Sequence, residues 1–83
     1  MTVRVGDEVV VIGGETAEQD LAQKEVEAYN VNSDSWRSLR SLNVGRHSGA
    51  AAIVNGQIHV ISGSERRGGS PESVVHEVLP IAP

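Results

Sequence analysis

The chain has 83 residues, no cysteine and a formal charge of -4, from seven Lys plus Arg against eleven Asp plus Glu. That length fits a single domain with a small core and marginal stability; the lack of cysteine excludes disulfides and cysteine-based zinc sites, and the acidic balance argues against the basic stripe that phosphate backbones require. The opening "MTVRVGDEVV" has no apolar h-region and no later run approaches membrane-spanning length, so a soluble, cytoplasmic chain is expected, with neither nucleic acid nor membrane as partner.

The elements that the sequence predicts are all strands. "VRV" and the β-branched run "VVVIGG" flank Gly6-Asp7, which suggests an antiparallel pair over residues 1–5 and 8–12. Residues 24–31 and 35–39 form the next pair around "YNVNSDSW". Asn30, Asn32, Ser33, Asp34 and Ser35 are turn formers that compete with helical hydrogen bonding. The only Tyr and the only Trp, Tyr29 and Trp36, then stand opposite one another across a hairpin. "AAAIV" and "QIHVISG" flank Asn55-Gly56, the strongest two-residue hairpin signal, giving strands over 49–54 and 57–62. Ala50 to Ala52 favour helix by propensity, but Gly49 and the turn leave too little length for one. A last strand is expected near 73–79.

A shift of 49 positions places Val9, Val11 and Ile12 on Ile58, Val60 and Ile61, and Gly14 on Gly63. It also aligns two polar loops, "ETAEQDLAQ" and "SERRGGSPE". The chain thus reads as a complete four-stranded repeat over 1–47 and a second over 48–83 that lacks its fourth strand. Val9, Val11, Ile58 and Val60 are the expected core between them.

A double glycine ending a β-branched strand, followed by a tyrosine and, after six intervening residues, a tryptophan, resembles the Kelch motif, here Gly13, Gly14, Tyr29 and Trp36. "NVGRHSGAAAIVNGQIHVISG" is similar to the Kelch stretch in which an arginine, Arg46, leads through small residues into the next diglycine strand, here ending at Gly63. The second copy departs from the pattern, with Ser62 for the first glycine, Val78 at the tyrosine position and no tryptophan. The resemblance implies an all-β fold of antiparallel four-stranded propeller blades, with an incomplete propeller in this one chain and structural roles for those six residues.

Such blades cannot cover both stacking faces alone, so the chain is expected to be completed by copies of itself or by a longer parent chain. The resemblance further implies a non-catalytic interaction or scaffold module that takes a protein partner through its loop face. The candidate contacts there are Glu15, Glu18 and Asp20 in one loop and Glu65, Arg66 and Arg67 in the other. Opposite charge across the two loops also favours their meeting. A fragment of a Kelch-type carbohydrate enzyme, such as a sugar oxidase or sialic-acid epimerase, is the alternative, although the cysteine-linked tyrosine of the copper oxidases cannot form here. A third possibility is an incomplete segment with no activity of its own. Of the three histidines, His59 and His76 lie on neighbouring strands, but two imidazoles without a third ligand read as strand surface. His47 and Arg46 belong to the connection, where the arginine is placed to cap strand-end carbonyls. Ser48 has no "GxSxG" context. No catalytic residue, metal or cofactor is expected.

Overall fold

The computed structural model describes residues 1–68 and 72–81, so part of the second loop and the last two positions of the second repeat lie outside the described residues. These residues form seven strands in two antiparallel sheets, the all-β arrangement that the sequence suggests. The first sheet has the order β1 (Thr2–Val5), β2 (Glu8–Gly14), β3 (Gln23–Asn30), β4 (Ser35–Ser38). The second has the order β5 (Ala50–Val54), β6 (Gln57–Ile61), β7 (His76–Pro80). Both opening hairpins have two-residue turns, but of different kinds. Gly6 alone has positive φ in the first, at 58°, whereas Asn55 and Gly56 both do in the second, at 50° and 74°. These are the II′ and I′ patterns, which match the right-handed twist of the strands they join.

The sheets stack, and opposite faces of the repeat meet in the middle. Side chains alternate across a strand, so each sheet has two distinct faces. From the first sheet Val10, Ile12, Val26 and Ala28 are buried; from the second, Ile58, Val60 and Leu79. Leu39 and Leu42, on the segment connecting the sheets, close the core. Each of the larger aliphatics contributes roughly 1.5–3 kcal/mol by leaving water. Ile58 and Val60 are core residues, as the repeat alignment suggests, but Val9 and Val11 are only half-buried. The alignment superposes like faces, whereas stacked sheets bring one face of the first against the other face of the second. Val9 and Val11 therefore line the open face of the first sheet, beside Tyr29 and Trp36.

Two strand boundaries differ from the sequence reading by more than one residue. β2 continues to Gly14, which pairs with Gln23 past a register shift at Gly13. β7 starts at His76 rather than residue 73, because the preceding backbone is engaged elsewhere. Ser73 N–H donates to the Gly63 carbonyl at 2.5 Å, Val75 N–H to Ser73 Oγ at 3.0 Å, and the Val75 carbonyl accepts from Ser62 N–H at 3.2 Å. These bonds hold residues 73–75 against the end of β6 outside the regular ladder, with the Ser73 hydroxyl taking the Val75 N–H.

Candidate functional site

The loops after β2 and β6 emerge at one end of the stacked sheets and dock on each other. Their backbones join at Leu21 and Arg66. Ala22 N–H donates to the Glu65 carbonyl at 2.8 Å and Arg67 N–H to the Asp20 carbonyl at 2.8 Å. Side chains complete the seam: the Arg66 guanidinium pairs with the Asp20 carboxylate, Arg67 donates to the Ala17 carbonyl, and Glu15 accepts from Gly68 N–H at 2.9 Å. Arg66 and Asp20 are both more than half exposed, so their ion pair contributes only about 0–1 kcal/mol. Glu15, Thr16, Ala17, Arg67 and Gly68 line a shallow depression of about 520 Å³ between the loops. Glu18 and Glu65 are exposed beside it. The two docked loops therefore contain all six residues, with Glu15, Glu18 and Asp20 on one and Glu65, Arg66 and Arg67 on the other.

His47 fixes the seam from below. Its Nε2 lies 2.6 Å from the Arg66 carbonyl and its Nδ1 2.8 Å from Ser48 Oγ. A carbonyl can only accept, so Nε2 carries the proton and Nδ1 accepts from the serine hydroxyl. Glu15 Oε2 lies 3.4 Å from the same Nε2. Glu15 and His47 are far apart in sequence, and only the meeting of the loops makes them neighbours. The backbone also pairs His47 with Ser64, whose N–H donates to the His47 carbonyl at 2.9 Å.

The connection between the sheets holds the most deeply buried charge. Arg46 is fully buried, and its Nη2 donates to Glu77 Oε2 at 2.5 Å. Its Nη1 caps three carbonyls of the second sheet's rim, Val75 at 2.6 Å, Ser62 at 3.3 Å and Val60 at 3.4 Å. Glu77 also accepts from Asn43 N–H at 2.7 Å and Val44 N–H at 3.1 Å. Burial pushes the Glu77 carboxyl up, but the two backbone donors and Arg46 outweigh it and hold the group below the usual glutamate range. The sequence gives no hint of Glu77 as the partner, because it lies 31 positions away on a strand whose alternate residues are apolar.

The remaining motif residues are structural contacts. Gly13 has φ 62°, and a Cβ there would lie 2.3 Å from the Arg46 carbonyl oxygen. Gly14 N–H donates to that same carbonyl at 3.0 Å. Gly63 repeats the arrangement in the second sheet, with φ 84° and the His47 carbonyl 2.7 Å from where a Cβ would stand. Tyr29 and Trp36 face each other across β3 and β4, with ring centroids 5.1 Å apart and planes tilted by 47°. Tyr29 donates its hydroxyl proton to Asp34 at 2.6 Å; that bond, and secondarily burial, hold the phenol above its ordinary range. Trp36 remains 59 % exposed on the open face. On the open face of the second sheet, His59 Nδ1 and His76 Nε2 lie 3.0 Å apart.

A family model described as the Kelch motif matches residues 2–43. An F-box/kelch-repeat protein of Arabidopsis thaliana is 33% identical over 66 residues, which is 80% of this chain and 16% of that protein. The chain therefore spans about one sixth of that relative's length.

Proposed function

The chain belongs to the Kelch-repeat family, and from that premise we propose that it is a non-catalytic protein-interaction module whose loop face takes a protein partner. The observation carrying this reading is the docking of the two loops, which hold Glu15, Glu18, Asp20, Glu65, Arg66 and Arg67, into one charged surface with an open depression. Such a surface offers a partner fixed geometry without the entropic cost of ordering two free loops. The relative's name contains both F-box and kelch repeat, which fits a repeat used within a larger interaction protein. Each stacked sheet also has one uncovered face. Trp36 is 59 % exposed on the first, and Ile61 and Val78 are 46 % and 40 % exposed on the second. Further blades, from copies of this chain or from a longer chain, are the proposed cover.

The test uses substitutions that leave the seam intact. Glu18→Arg with Glu65→Arg reverses charge beside the depression, and proteins captured by the wild-type chain are compared quantitatively with those captured by the double variant. Selective loss of a protein partner supports the loop face; an unchanged set removes it. Assembly is read separately from absolute molar mass by light scattering across a concentration series. A discrete species heavier than the 8.8 kDa chain, reduced to monomer by Ile61→Lys, supports completion by copies. A monomer at every concentration leaves only the longer-chain form.

A further inference from the structure

From the open face of the second sheet, we propose that His59 and His76 form a chelating pair for a divalent transition-metal ion of the Cu²⁺ class. The two residues sit diagonally across β6 and β7, where His59 pairs with Val78 and Ile61 with His76. Side-chain alternation puts both imidazoles on the same, uncovered face. His59 Nδ1 and His76 Nε2 are 3.0 Å apart, with ring centroids at 5.2 Å.

That separation is close to what a right-angled pair of ligands needs. Two nitrogens bound at about 2.0–2.1 Å in adjacent positions of a square-planar or octahedral shell lie about 2.9 Å apart; at the tetrahedral angle they lie about 3.3 Å apart. The observed pair matches the right-angled arrangement, favoured by Cu²⁺ and Ni²⁺, and would have to open by about 0.3 Å for tetrahedral Zn²⁺. In the metal-free chain the contact is an N–H···N hydrogen bond, with one nitrogen donating and the other accepting. Metal binding replaces that hydrogen bond: the donor imidazole carries its proton on its other ring nitrogen instead, so the neutral pair binds with no net proton release, and a modest rotation of the exposed rings turns both lone pairs toward the ion.

The surroundings suit a cation. By register the same face contains Ala50, Ala52, Val54, Gln57, Ile61, Val78 and Pro80, and none of these is a lysine or arginine. The whole chain has net charge -4. His47 is no competitor, since both of its nitrogens are engaged within the loop seam. Two protein ligands leave the other coordination positions to water or to a donor from whatever covers this face. The pair is complete in the single chain, so it stands independently of the assembly proposed above.

The test is titration of the full chain with CuCl₂, followed by calorimetry and by electron paramagnetic resonance. The expected result is one Cu²⁺ per chain with hyperfine coupling to two imidazole nitrogens, and a loss of roughly tenfold or more in affinity for each of His59→Ala and His76→Ala. Both side chains lie on the open face rather than in the core, and the wild-type spectrum is decisive without any variant. Coupling to fewer than two imidazole nitrogens, or copper affinity unchanged in the two variants, overturns the proposal.

Discussion

The first sheet's diglycine and the second sheet's Ser62-Gly63 share a left-handed step and differ in the residue that takes it. Gly13 has φ 62° in the first sheet, and at the equivalent step of the second Ser62 has φ 64°. Left-handed conformation alone costs a non-glycine residue only about 1–2 kcal/mol, which a serine tolerates. The difference lies in what approaches. A Cβ on Gly13 would lie 2.3 Å from the carbonyl of Arg46, the residue whose side chain then caps the rim of the second sheet. Ser62 keeps its Cβ, so no backbone crowds it in that way. Glycine at this step is required by the passage of the connection to the next sheet, and φ adds to that requirement.

Removing the link between the sheets should have the largest effect. Arg46→Ala leaves Glu77 buried without its counter-charge and three carbonyls uncapped, and should cost about 3–5 kcal/mol, measured as a fall in urea midpoint. For a chain of this size that is a large fraction of the total stability. Replacing both members, as in Arg46→Met with Glu77→Leu, should recover part of the loss, because no charge is then left unpaired.

Gly13→Ala comes next, at roughly 2–5 kcal/mol from the combined strain and overlap. Its counterpart sharpens the comparison: Ser62→Gly should stabilise by up to about 1 kcal/mol, since it relieves conformational strain with no clash to remove, offset by added freedom of the unfolded chain. Equal and opposite shifts in the two variants would show that φ alone governs both positions.

Acid should act through the connection. The folded carboxyl of Glu77 titrates below its unfolded value, so its stabilisation is present above about pH 4.3 and is lost as pH falls through the lowered folded value. Urea midpoints should therefore fall on acidification in that window, and Glu77→Gln should flatten the dependence while lowering stability at pH 7. Glu8, whose carboxyl is held low first by its hydrogen bonds from Arg37, contributes in the same direction.

The smallest effect concerns the aromatic pair, which the second sheet lacks. Trp36→Ala should cost about 0.2–1 kcal/mol in the isolated chain, as expected for a cross-strand contact on a largely exposed ring. A much larger loss that depends on protein concentration would mean that the ring is buried against another blade.

Much of the fold was legible because it depends on short-range chemistry. Gly6-Asp7 and Asn55-Gly56 mark the hairpins, the runs of Val and Ile mark their strands, and the repeat shift relates the two sheets. Even Ala50 to Ala52, helical by propensity, form β5, since the adjoining turn and pairing with β6 outweigh a small intrinsic preference. The candidate loop surface was legible in composition and charge, and less so in its contacts. That His47 would hold the loop seam beside Glu15 depends on two loops meeting, and that Glu77 would take Arg46 depends on the path of the connection.

The sequence by itself determined where the hairpin strands lie and which residues of each share a face, though not the start of β7. Only the tertiary structure decided which face is buried, choosing Val10 and Ile12 over Val9 and Val11 in the first sheet and Ile58 and Val60 in the second. The physical reason is that alternation along a strand divides apolar residues between two faces, while the choice between those faces depends on the stacking of another sheet brought there by contacts distant in sequence.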